Sequence, residues 1–413
     1  MNIRCIKCKG RDPSICGRTF CPIMVKIGAQ KKVNIEAKQE FFGQSPNIFV
    51  GRHGYPEVNV GILSVEDYEE HDNPLLWSKE NYSIAKIISL RSSLINSNFK
   101  AQITGFKERF MEMSKEVSMA KQPVDVEVHL AKKPSFSLSF EQDTMPHGPR
   151  VKLKKARITE NPKIPRIIDR VVDDIDFKAN QAINYLYKKN VDEHYLTRLL
   201  SIGNLGVKKQ RKLVPTRWSI TAVDDALAKE MIRQIKDYNT YDYTVFFGGY
   251  LGNYYVALFF PEVWSYELFE TYVGKSTWHD SEGITTMTDY EGYDGRKDYA
   301  SNTAGGYYAA RLPVLEYLKK IKRQAAVLLL RFITGEYYAP LGVWVVREAV
   351  RKTLSNKPLN FDSKELMLKY AKALVKKKFR INIDFILRKS ILLNKLKTQK
   401  KLVEFEGLTP KKI

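Results

Sequence analysis

The chain has 413 residues, enough for two or three domains, and its 44% hydrophobic and 12% aromatic residues are ordinary for a folded protein. It carries 68 Lys and Arg against 46 Asp and Glu, a formal net charge of +22, which must be solvated or neutralised by a polyanion. Nucleic acid is the commonest such partner, because each phosphate neutralised releases condensed counterions. No run approaches the roughly 18 apolar residues of a membrane span, and the first residues, with Arg4, Lys7 and Lys9, form no signal peptide, so a cytoplasmic protein is expected.

All four cysteines fall within the first 21 residues, Cys5 and Cys8 with two residues between them, Cys16 and Cys21 with four. Tetrahedral zinc asks for four deprotonated sulfurs, and a close pair on a tight knuckle supplies two of them. Two disulfides are disfavoured in a chain without a secretion signal, and an iron–sulfur cluster is the minor alternative. With all four ligands sulfur, no coordination position stays open, and the expected Zn2+ is structural.

After this finger the pattern is that of an α+β protein. A glycine-punctuated segment, Ser45 to Pro56, leads into Val58, Val60 and Ile62 at strand alternation, and Glu66 to Asp72 form an acidic turn. The spacing predicts mostly helix from Ile84 to Met119, a strand at Val124 to Leu130, and a repeat of strand alternation at Phe136, Leu138 and Phe140. Five prolines among basic residues make Lys132 to Pro165 the best linker or long exposed loop. Phe177 to Leu200 reads as one amphipathic helix, and Pro215 to Ile235 as a second with Asp224 and Asp225 near its start. Tyr243 to Phe247 and Tyr254 to Phe260 are predicted strands joined by a glycine-rich turn, and Gly306 to Lys322, Gly342 to Leu354 and Ser363 to Lys377 are predicted helices. The expected division is a zinc-binding finger at 1–30, an α+β region at 31–145, a central and C-terminal α+β body at 146–392 whose last part is helical, and a peptide-motif tail at 393–413.

In that tail, Gln399, Leu402 and Phe405 stand at offsets that put a leucine and an aromatic ring on one face of a helical turn, with Glu406 following. The pattern resembles the sliding-clamp binding peptide, or PIP box, in which the glutamine enters a polar pocket and the apolar side chains fill a hydrophobic one. A terminal turn packed on its own core is the competing interpretation. Glu406 stands where many such peptides carry a second aromatic ring.

Several longer blocks carry a second resemblance. The finger from Cys5 to Cys21, Phe49-Val50-Gly51-Arg52 with Gly54-Tyr55-Pro56, the run from Val214 to Asp225, the run from Asn302 to Arg311, and Pro340-Leu341-Gly342-Val343-Trp344 are similar to the archaeal Nre DNA repair family. The blocks span essentially the whole chain. The resemblance implies a role in archaeal DNA damage repair and contact with the sliding clamp PCNA, and DNA as the polyanion; it implies no settled reaction.

Positive charge is concentrated in runs at Arg150 to Arg157, including Lys154 and Lys155; at Lys208, Lys209, Arg211 and Lys212; and from Arg347 through Lys378 to Lys401. Arg217-Trp218, just ahead of a predicted helix, combines a base-stacking ring with a phosphate-binding charge, and Arg52 and Arg311, each near a glycine turn, are candidates for the same ligand. If the protein is an enzyme, metal-dependent phosphodiester cleavage needs carboxylates converging on a hard cation. Asp224 and Asp225, adjacent on a helix, point about 100° apart, whereas Asp289 and Glu291, and Asp280 and Glu282, share a face if extended. The six histidines form no metal-spaced pair. Two classes follow: a non-catalytic DNA-binding repair factor recruited by the clamp, or a metal-dependent repair nuclease. Charge alone also admits an RNA-binding protein.

Overall fold

The computed structural model of the protein describes residues 38–104, 109–135, 147–273 and 284–398, together with Cys21, Met24, Ile27, Gly28 and Met145. Strand β1 (Glu40–Val50) serves two neighbours: its first half pairs antiparallel with β4 (Val124–Leu130) and its second with β2 (Glu57–Val65). A register shift between Gln44 and Asn47 lets one strand bend between them. With β3 (Ile95–Gln102) antiparallel to β2, and β5 (Arg150–Ile158) parallel to β3 and antiparallel to β4, the sheet closes as a barrel in the order β1-β2-β3-β5-β4. Val58, Val60, Ile62, Val126, Val128 and Val151 fill its interior, and helix α3 (Arg109–Met119), between β3 and β4, packs on β1 and β5.

Two short helices between β2 and β3, α1 (Pro74–Lys79) and α2 (Ile84–Ser93), leave the barrel and join a second core. Trp77 of α1 is fully buried there, its ring 5.4 Å from that of Trp344, and the Tyr250 hydroxyl donates to the Trp77 carbonyl at 2.8 Å. This insertion clamps the barrel to the C-terminal lobe.

That lobe is a six-stranded sheet in the order β11-β6-β7-β10-β8-β9. Its members are β6 (Thr244–Tyr250), β7 (Asn253–Phe260), β8 (Ser265–Tyr272), β9 (Thr285–Glu291), β10 (Ala326–Ile333) and β11 (Leu359–Asn360). Every residue of β10 is buried, as expected of a strand covered on both faces. Val327 and Leu329 face one core and Leu328, Leu330 and Phe332 the other. On the first face lie α7 (Thr216–Ile235), α8 (Gly305–Ile321) and α9 (Trp344–Ser355), and behind them α4 (Arg166–Asp173), α5 (Ala179–Lys188) and α6 (Glu193–Ser201). On the second lie α10 (Lys364–Phe379), α11 (Asp384–Lys389) and α12 (Ile391–Thr398). Buried Glu267 of β8 caps α12, accepting from Ser390 Oγ at 2.5 Å and from the amides of Ile391 and Leu392 at 3.0 Å.

The α+β class holds, and four expectations are corrected. The stretch Ile84 to Met119 is helix at both ends, α2 and α3, but not continuously, because β3 interrupts it: Ile95, Ser97, Phe99 and Ala101 face inward, and burial of both Asn96 and Ser97 hides the alternation. The proposed linker contains β5, whose outward Arg150 and Lys152 read as loop while Val151 and Leu153 enter the core. Strand β5 thus completes the barrel from beyond the 145/146 division. Phe177 to Leu200 is two helices, broken where Asn190 takes φ 63° and Asp192 caps α6 through the amides of His194 and Tyr195. Asp224 and Asp225 lie in the third turn of α7 and not near its start. Strands β6 and β7 are joined by the two-residue turn Leu251-Gly252, both with positive φ, which suits a tight hairpin. Cys5, Cys8, Cys16, Asp280, Glu282, the Phe136 to Phe140 alternation, and Gln399, Leu402, Phe405 and Glu406 lie outside the described residues.

Candidate nucleic-acid interface

A cleft of about 2830 Å³ runs between the barrel and the C-terminal lobe. One wall is the outer face of β2, β3 and β5, which contributes Asn59, Asn96, Asn98, Arg150 and Lys152. The opposite wall is made by the starts of α7 and α8 and the connection from β9 to α8. Thr216 at the head of α7 ties the walls together, its hydroxyl accepting from the Val50 amide at 2.9 Å. Arg198 of α6 does the same, donating to the carbonyl oxygens of Pro46 at 3.0 Å and Ala120 at 2.5 Å.

Thirteen of the residues lining the cleft are Lys or Arg and six are Asp or Glu, so the cavity is basic. The acids are largely occupied: Asp72 pairs with Arg91 at 2.7 Å, Asp225 with Lys229 at 2.7 Å, Glu270 with Arg331 at 2.5 Å, and Asp192 caps α6. Arg52, Arg150, Lys152, Arg217 and Lys297 have no ion-pair partner among the described residues. The first four come from the β1–β2 loop, from β5 and from the start of α7, segments far apart in sequence.

The site residues named from sequence divide into groups. Arg52, Arg217 and Trp218 converge on the cleft. Trp218 is 46% exposed and leans on Tyr55, with ring centroids 5.4 Å apart. Lys154 and Lys155 are exposed at the β5 bulge beyond the lining residues. Lys208 and Lys209 are exposed on a short turn elsewhere, and Arg211 folds back onto the carbonyls of Gly206 at 2.7 Å and Asp174 at 3.0 Å. Arg311 cannot share the ligand of Arg217: it is fully buried, donating to Glu291 at 2.5 Å and Asp225 at 2.6 Å. A glycine pair ahead of it suggested a loop, but Gly305-Gly306 opens α8. A Cβ on Gly306 would lie 2.5 Å from Glu270 Oε1, so glycine there lets the helix approach the sheet.

Of the carboxylates considered for catalysis, the four among the described residues each meet an arginine. Asp289 and Glu291 do share a face of β9, but Asp289 accepts from the amides of Asn302 and Thr303 and the Thr303 hydroxyl, with Arg296 at 3.3 Å, and so holds the turn into α8. Glu291 and Asp225 share one cation, the Arg311 guanidinium. Asp224 is gripped by Arg347 at 2.7 and 2.9 Å. Burial pushes the Asp224 carboxyl up to about 6 against that guanidinium. Burial also acts to raise nearby Glu193, but there Arg347 and Arg351 together prevail and hold it well below the usual carboxylate range. Arg351 extends the network to Glu316 and Glu348, both at 2.7 Å, tying α6, α8 and α9 to α7 through Arg347. Among the described residues no group of three or more His, Cys, Asp or Glu is placed to hold a metal ion.

Sequence reasoning missed the asparagine face of the barrel and Tyr299, which is 55% exposed at the cleft and stacked on Tyr308 at 5.5 Å. Exposed aromatics in a loop were the available signal; the asparagines gave none before the strand pairing was known.

Barrel, sheet lobe and cleft define a two-lobed α+β protein with a basic, partly aromatic groove between its lobes. Residues 15–279 match the family model for the N-terminal part of archaeal Nre, and residues 291–405 that for its C-terminal part. The chain is 37% identical to DNA repair protein NreB of Archaeoglobus fulgidus, over 97% of this chain and 99% of that protein. It is 40% identical to DNA repair protein NreA of the same organism, over 88% and 91%, and 38% identical to DNA repair protein NreA of Haloferax volcanii, over 77% and 78%. The chain belongs to the archaeal Nre family. No solved structure matches it. No helix among the described residues is long and apolar enough to cross a membrane.

Proposed function

We propose that this protein is a DNA repair factor that binds DNA in the cleft between its lobes and is brought to its sites of action by the PCNA sliding clamp through Gln399, Leu402 and Phe405. The observation that carries the DNA reading is the meeting of Arg52, Arg150, Lys152 and Arg217, without acidic partners among the described residues, in one cavity beside Trp218. Unpaired cations on facing walls repel one another, and a chain of phosphates relieves that repulsion. Relatives named DNA repair proteins support the setting. The arginine partners of Asp224, Asp225, Asp289 and Glu291 favour the non-catalytic factor over the nuclease.

The tail docks on the clamp while the folded body stays free to hold DNA. A short peptide motif with two apolar anchors is expected to bind in roughly the micromolar range. Phe405→Ala removes most of the buried anchor and costs about 2 kcal/mol or more in clamp affinity, with DNA affinity unchanged. Titrating the clamp, then labelled DNA, with wild-type and Phe405→Ala protein tests both halves: equal clamp binding by the two sinks the tail motif, and wild-type protein that binds no DNA sinks the cleft.

Cys5, Cys8, Cys16 and Cys21 are assigned one structural zinc ion, their four thiolates matching a closed tetrahedral shell. Cys5→Ser should lower metal content and destabilise the N-terminal segment, since binding energy in such small sites is largely folding energy. Elemental analysis finding no zinc in protein purified without chelators would remove the assignment.

A further inference from the structure

We infer that the cleft is built for single-stranded DNA, laid along the outer face of β2, β3 and β5 with unpaired bases on Trp218, Tyr55 and Tyr299. The inference rests on the DNA reading above and names the form of DNA. Its first support is topological. A closed five-stranded barrel in the order β1-β2-β3-β5-β4, with β3 parallel to β5, one bulged strand shared by two partners, and a helix between β3 and β4, has the connectivity of an OB-fold. Barrels of this kind bind oligonucleotides on the face of strands 2 and 3 and with the loops joining strands 1 to 2 and 4 to 5.

The strand 2–3 face, the β1–β2 loop and the described end of the β4–β5 connection line the cleft here. The register sets Gly61 opposite Asn98, Leu63 opposite Asn96, and Asn96 and Asn98 beside Arg150 and Lys152, so one sheet face carries buried Asn96 and half-buried Asn98 in its middle and exposed cations at its edge. Gly61 keeps that face low: a Cβ there would fall 1.9 Å from Asn96 Oδ1, so the asparagine lies flat across it. The β1–β2 loop supplies Arg52 and His53, and the β4–β5 connection supplies His147.

Aromatic placement decides between one strand and two. Trp218, Tyr55 and Tyr299 are 46%, 44% and 55% exposed. Trp218 and Tyr55 touch each other, and Tyr299 is braced by Tyr308, so these rings are held and yet keep surface toward solvent. In a duplex the base faces are spent on one another, and such rings gain nothing from it. On an unpaired strand each can take a base, a contact that tolerates any sequence. The facing wall adds the starts of α7 and α8, neither with a side-chain cap, whose positive dipole ends favour phosphate.

The test uses the full-length protein and fluorescence anisotropy with a labelled DNA strand of about 15 nucleotides, its duplex, and RNA of the same sequence. The single DNA strand should bind at least tenfold tighter than the duplex. Trp218→Ala and Tyr299→Ala, changes to exposed side chains, should each weaken single-strand binding by about 5- to 150-fold. Both should leave duplex affinity and the slope of log affinity against log salt unchanged, a separation that a general loss of structure would not give. Duplex bound as tightly as single strand, or both aromatic variants binding the strand as wild type does, overturns this inference and leaves the DNA reading standing. RNA bound in preference to DNA overturns both in favour of RNA, and failure to bind any of the three removes the DNA reading itself.

Discussion

Arg311→Leu should lower folding stability by about 3 to 5 kcal/mol, the range for removing one partner from a buried ion pair. The arginine is fully buried in α8 and supplies the cation for both Glu291 and Asp225. Glu291 is itself buried, and its Oε1 already lacks a hydrogen-bond partner among the described residues, so no neighbour is placed to replace the lost guanidinium. The remaining carboxylate must then stay charged in a dry site or take up a proton, and either costs stability. Urea denaturation followed by circular dichroism reads the change as a lower midpoint with little change in slope. Arg311→Leu combined with Glu291→Gln should recover about half of the loss, because it removes the orphaned charge along with its partner. A loss below about 1 kcal/mol would place Arg311 among surface residues and restore it as a candidate for the ligand of Arg217.

The error over Arg311 shows where sequence is legible and where it is not. Local signals carried the elements that close on themselves: the β6–β7 hairpin around Leu251-Gly252, and α10 from its Ser363 cap to Lys376, Lys377 and Lys378 in its last turn. They failed where identity depends on a distant partner. Strands β3 and β5 turn asparagine, lysine and arginine toward the cleft and pair with each other across some fifty residues, so each looks like helix or loop until the other is in place. Arg52 and Arg217-Trp218, which a glycine loop and a helix start marked locally, do line the cleft. Arg311 had the same local features and the opposite fate, since spacing does not report which face of a helix is buried. The asparagine face had no local mark at all.

The other large effect concerns salt. DNA affinity should fall on the order of a hundredfold between about 0.05 and 0.2 M salt if roughly five phosphates are contacted on a single strand, each contributing about 0.7 to the slope of log affinity against log salt. Arg52, Arg150, Lys152, Arg217 and Lys297, cleft cations without acidic partners among the described residues, are among the groups available for those contacts. Their positions also rank the variants. Arg150→Ala with Lys152→Ala changes two residues that line the cavity and should reduce the slope by about 1.4. Lys154→Ala with Lys155→Ala changes the exposed end of the same strand and should reduce it less, unless the DNA runs on along β5 past the bulge. The two double variants remove equal charge, so a difference between them isolates position from net charge. A flat salt response in the wild-type protein, or equal small effects from both pairs, would mean that the +22 is solvated surface and that the cleft holds something other than a phosphate backbone.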